Sequence, residues 1–121
     1  MLEYDTIYPR VTRELVALRT RLAPGPAEAF RAFSHNVFAE GALSAKTKQL
    51  IAVAVAHATQ CPYCIRGHTQ GAQKHGAAPE EIMEAIWVAI EMRAGGAYAH
   101  SVVALDELQH TQSERESAKG G

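Results

Sequence analysis

Apolar residues recur along this chain at steps of three and four, with little of the two-residue alternation that marks a half-buried strand. Val11, Leu15, Leu18 and Leu22 predict a first helix, closed by Pro24-Gly25-Pro26. Phe30, Phe33 and Val37, with Phe38 at the edge of the stripe, predict a second that ends near Gly41. Ser44 is a natural N-cap for a third helix reaching Thr59. A fourth opens at Cys61-Pro62, where proline at the first helical position costs nothing, and closes at Gly76. Pro79 with Glu80 and Glu81 opens a fifth, its early acids matched to the helix dipole. The pair Gly95-Gly96 is expected to interrupt this run, with a sixth helix from Ala97 into the chain's end. The polar residues 112–121 are expected to fray. The pattern predicts an all-α fold of about six helices in one domain spanning residues 1–121, with no solenoid repeat.

The third and fifth helices are apolar nearly all round. One carries Leu50, Ile51, Val53 and Val55; the other carries Ile82, Met83, Ile86, Trp87, Val88 and Ile90. A chain of 121 residues has too small an interior to surround two such helices, so burial against further subunits is expected. Composition narrows the rest. With 47% hydrophobic and 21% charged residues the chain is globular, and 12 Lys+Arg against 13 Asp+Glu leaves a net charge of -1. Without a basic surplus to neutralise phosphates, no nucleic-acid partner is expected. The longest apolar run, Leu50 to Ala58 broken by His57, falls far short of the ~20 residues of a membrane span, so no membrane partner is expected. Glu3 and Asp5 stand where a secretory leader would be basic, which points to the cytoplasm. Close cysteines in that compartment suggest redox or metal chemistry before a structural staple.

The chemistry concentrates in Cys61-Pro62-Tyr63-Cys64-Ile65-Arg66-Gly67-His68. Helical steps of ~100° place Cys61, Cys64 and His68 on one face, with Cys64 and His68 one turn apart. Both thiols fall at the start of the helix, where unpaired N–H groups and the dipole favour a thiolate. Cys61 and Cys64 are also close enough for a disulfide. Spacing and position thus describe a redox dithiol with its own base. The same residues could be inert small hydrophobes, or could join His57 or His35 around a structural zinc. Zinc would want a fourth ligand, and no second CxxC or HxxxH follows, so neither metal nor organic cofactor is expected. A glutaredoxin would carry its CPYC after a strand, whereas residues 44–59 are helical in pattern.

The run from Leu43 through Lys46-Thr47-Lys48-Gln49-Leu50, followed by Cys61-x-x-Cys64-x-x-x-His68, resembles the carboxymuconolactone decarboxylase/AhpD-like alkylhydroperoxidase superfamily. Gly76-Ala77-Ala78-Pro79-Glu80-Glu81-Ile82 and the later Gly95-Gly96 fit the same pattern, so the likeness covers about residues 30–108. The CxxCxxxH element marks the peroxidase-like branch. The resemblance implies a helical subunit assembling into trimers or hexamers and reducing small hydroperoxides through thiols. By motif position Cys64 would be the attacking cysteine and pass through a sulfenic acid. Cys61 would donate a proton and then close a Cys61–Cys64 redox disulfide, with His68 as relay base. An external thiol or dihydrolipoyl-type reductant would restore the dithiol. Two other functions remain open: a lactone decarboxylase-like activity in the same fold, and a non-catalytic oligomer whose cysteines sense oxidant.

One position departs from the family's pattern. A glutamate is usual in the Lys-Thr-Lys-x-Leu segment, completing the relay, and this chain has Gln49 there. A carboxamide can hold His68 by a hydrogen bond but cannot exchange a proton at neutral pH. The relay would then run through water or His57, or be weakened. His75, His100 and His110 read as surface or capping residues, Trp87 as core or interface, and Arg66 as a solvated cation beside the motif.

Overall fold

The computed structural model describes residues 7–120. Five α-helices lie wholly among them: α1 (Arg13–Leu22), α2 (Pro24–Phe38), α3 (Ala45–Thr59), α4 (Pro62–Lys74) and α5 (Pro79–Gly120), with no strand. The chain divides into two compact units, one ending at Glu40 and the other beginning at Gly41.

In the first unit α1 packs along α2. Thr12 caps α1, its hydroxyl accepting the Leu15 amide at 3.2 Å. Pro24 sits in the first turn of α2, where its missing N–H leaves no bond unmade. Phe30 and Phe33 meet along one face of α2, their rings tilted by 42° with centroids 6.2 Å apart.

The second unit carries the chemistry. The Ser44 hydroxyl accepts the Thr47 amide at 3.1 Å and starts α3 where expected. α3 packs on both α4 and α5, and the fully buried Val53 of α3 is the centre of the contact. Ala72 of α4, Ala77 and Ile82 close around it, with Leu50 and Ile86 alongside. Small residues at this seam let the helix backbones approach closely.

Two helix ends fix the turns. α3 stops at Gln60, which adopts the left-handed conformation (φ 58°, ψ 48°). The Cys61 amide then bonds back to the Ala56 carbonyl at 3.1 Å. α4 ends the same way: Gly76 takes φ 88°, and the Ala77 amide reaches the Ala72 carbonyl at 2.9 Å. That turn drops Ala77 into the core. Glu81 opens α5 by accepting the Ala78 amide at 2.9 Å and meets Lys46 of α3 at 2.8 Å. The Ala78 amide, and then Lys46, hold the Glu81 carboxyl below its ordinary value.

The expected break at Gly95-Gly96 does not occur, and residues 112–120 are helical rather than frayed. α5 runs unbroken for 42 residues, so the fifth and sixth helices expected are one. The physical reason is cooperative propagation. Each glycine costs about 1 kcal/mol against alanine, and strong helix formers lie on both sides, from Glu91 to Ala94 and from Ala97 to Ala99. The Glu91 carboxylate folds back over Gly95, and the Arg93 guanidinium donates to the Ala58 carbonyl at the end of α3. Beyond the glycines, Gln112, Glu114, Arg115, Glu116, Ala118 and Lys119 are good helix formers whatever their polarity. Residue 121 lies outside the described residues.

Candidate active site

Cys61 has a double position. It is the second residue past the end of α3 and the N-cap of α4, so the tight turn at Gln60 delivers its sulfur to the first turn of the next helix. The Cys61 Sγ accepts the Cys64 backbone amide at 3.2 Å, in the place a serine or aspartate oxygen would occupy. Both cysteines are reduced and half-buried.

The two thiols are driven apart. The Cys61 thiol lies below its ordinary pKa, first because the Cys64 thiol donates to it and then because the Cys64 amide does. Cys64 is pushed up by giving that same bond, and burial and the charge of Cys61 add to the effect. Of the two, Cys61 is therefore the thiol that ionises first as pH rises, and Cys64 the one that keeps its proton longer. An attack by Cys64 needs its proton taken by a base, and Cys61 is the sulfur that more readily becomes the thiolate for closing a disulfide.

His68 follows Cys64 by one turn on α4. Its Nδ1 bonds the Gln49 carboxamide oxygen at 2.9 Å, joining α4 to α3 at a sequence separation of 19 residues. An amide oxygen there can only accept, so Nδ1 is the donor of this bond. The segment that departs from the family pattern thus touches the expected base.

Gly71 is the residue sequence reasoning passed over. A Cβ at this position would lie 2.5 Å from Gln49 Oε1 and 2.7 Å from its Cδ, so the carboxamide occupies the space a side chain would fill. Gly67, one turn earlier, faces open space. The signal was a glycine inside a helical pattern, which costs stability unless a neighbour uses the room.

The other candidates separate from this cluster. His57 Nδ1 bonds the Val53 carbonyl of its own helix at 2.7 Å. His75, His100 and His110 are exposed and make the same bond four residues back, at 2.8, 2.8 and 3.0 Å. Arg66 is exposed, and Trp87 is 59% exposed. Among the described residues no three of His, Cys, Asp and Glu are grouped to hold a metal ion, and no helix is long and apolar enough to cross a membrane.

The chain is similar in sequence and fold to known proteins. A protein from the cox locus of Paracoccus denitrificans is 64% identical over 84 residues, covering 67% of this chain and 76% of its own. A Cupriavidus necator protein is 34% identical over 93 residues, 77% of this chain and 81% of its own. Both are described as uncharacterized. A crystal structure from Methanobacterium thermoautotrophicum superposes with a TM-score of 0.66 at 36% identity, covering 69% of this chain and 94% of that one. The apo form of a carboxymuconolactone decarboxylase family protein from Legionella pneumophila gives 0.64 at 34% identity, covering 77% and 83%. The family profile itself matches residues 24–107, from the first turn of α2 to about two thirds of the way along α5. The chain belongs to the carboxymuconolactone decarboxylase family.

Proposed function

We propose that the protein is a thiol-dependent peroxidase of the AhpD-like kind, reducing small hydroperoxides through Cys61 and Cys64 with His68 as base. The observation that carries this reading is the Cys61 sulfur capping α4 through the Cys64 amide, with His68 held one turn on. Structural cysteines need no such polarisation of one thiol by the other.

The steps follow from the order in which the two thiols ionise. His68 takes the Cys64 proton through Nε2, and the Cys64 sulfur attacks the peroxide O–O bond. The bond breaks, Cys64 becomes a sulfenic acid, and the departing alkoxide takes a proton and leaves as the alcohol. The Cys61 thiolate then attacks the Cys64 sulfur, expelling the hydroxyl with a proton as water and closing the disulfide. An external thiol or dihydrolipoyl-type reductant returns two electrons and two protons by exchange. Such a cycle suits a reducing cytoplasm, where the disulfide is an intermediate.

Stoichiometric peroxide should convert the protein to a form two protons lighter within a single chain, read by mass spectrometry under non-reducing conditions. Free thiols alone, or only intermolecular bridges, would refute the dithiol mechanism. Repeated turnover with a recycling reductant separates a peroxidase from a sensor that oxidises once.

The proposal includes assembly into a trimer or hexamer. Trp87 is 59% and Val88 60% exposed on α5, and Ile51 and Val55 of α3 are also open to solvent. Apolar area of this kind, at about 25 cal/mol per Å², favours a second copy over water. Light scattering at micromolar concentration should give a mass several times 13.1 kDa. A clean monomer would refute assembly.

A further inference from the structure

The geometry points to Gly71 as a positioning residue: its missing side chain makes the notch in which the Gln49 carboxamide sits and holds His68 with its proton on Nδ1. Two contacts carry this. Gln49 Oε1 is 2.9 Å from His68 Nδ1, and the same oxygen would be 2.5 Å from a Cβ on residue 71. The remaining carboxamide atoms are close too, at 2.7 and 3.1 Å from that Cβ position. Gln49 cannot keep its bond to His68 and share the notch with a methyl group. Gly71 lies three residues beyond His68 on α4, so notch and ring share one face of the helix.

Glutamine suits this task in its own way. A carboxamide neither gains nor loses a proton across the physiological range, so the bond it accepts from Nδ1 keeps the same sense at every working pH. Nε2 is thereby kept as the basic nitrogen without a carboxylate behind it. The catalytic meaning of this lock rests on the peroxidase reading; the lock itself does not.

The effects of Gly71→Ala should run in opposite directions. Alanine is the better helix former, and Gln49 is a flexible side chain that can swing out of the way, so the fold should be retained with a melting temperature at or above that of the parent. The His68 ring should nevertheless be released. Ring 15N shifts in the full-length protein should show a protonated Nδ1 and an unprotonated Nε2 in the parent, and two averaged nitrogens in Gly71→Ala. Gln49→Ala should give the same averaged ring, and the double variant should add nothing to it. Peroxide turnover should fall in the same pattern, by roughly 10-fold in each. A parent ring protonated on Nε2, an unchanged ring in Gly71→Ala, or additive effects in the double variant would overturn the assignment. The ring measurements need no turnover, so they decide the lock even if the protein consumes no peroxide.

Discussion

Cys64→Ser should reduce peroxide consumption to background, a loss of at least about 10³-fold, because a serine hydroxyl is not ionised near neutral pH. Cys61→Ser should still permit one attack and then stall, leaving a sulfenic acid on Cys64 that persists or overoxidises. A sulfenic-acid trapping reagent should therefore label Cys61→Ser and not Cys64→Ser. The reverse labelling would make Cys61 the attacking sulfur, an order its lowered pKa would also serve. Alkylation of the parent reads the order of ionisation separately. Cys61 should react through a titration below the ordinary thiol value, and Cys64 through one above it. Sign follows cause: a group that receives hydrogen bonds ionises earlier as pH rises, and the donor of one of them ionises later. Cys64→Ala removes the donor thiol but keeps the residue 64 amide, so Cys61 should move upward only part of the way.

Gln49→Glu should raise peroxidase turnover by ~10-fold, the low side of what one positioned proton-transfer group is worth. The two side chains are nearly isosteric, so the carboxylate should enter the same notch beside Gly71 and accept the same Nδ1 bond. What changes is charge. An anion beside the ring favours the imidazolium, strengthening Nε2 as a base and moving the pH–rate profile to higher pH. Burial works against the carboxylate, but His68 is already at hand as its partner. The assay compares both forms across pH with one reductant. An unchanged profile, or lower activity, would show that the neutral carboxamide is the functional choice at this position.

Most of the α3–α4 site was legible because it depends on local rules. Ser44, Pro62, Gly76 and Pro79 each fix a boundary through one hydrogen bond or one backbone angle, and CxxCxxxH places its own members within two turns of one helix. The bond between Gln49 and His68 was half legible. The motif flagged both residues, yet their meeting depends on how α3 crosses α4 at Val53 and Ala72. Gly71 was hidden for the same reason: only packing shows which helical glycine is a notch and which faces water. The order in which the two thiols ionise is beyond the sequence, since it turns on the hydrogen bonds that the two sulfurs exchange. The misjudged break in α5 was a different kind of error. Two adjacent glycines weaken a helix, but they end it only where another backbone path competes, and Arg93 already ties the helix to the end of α3 just before them.

The unbroken course of α5 means that its amides should report two separate equilibria. Near Ile82 and Ala89 they are covered by the core, so exchange with deuterium requires opening of the packed unit. From Ala97 to Gly120 every residue except Thr111 is exposed, so within one subunit these amides are protected by helix–coil cooperativity alone. Gly95-Gly96 lies where the two regimes meet. Slow exchange past Tyr98 would thus have to be supplied from outside the subunit, which makes the far half of this helix an internal gauge of association that needs no label and no mutation.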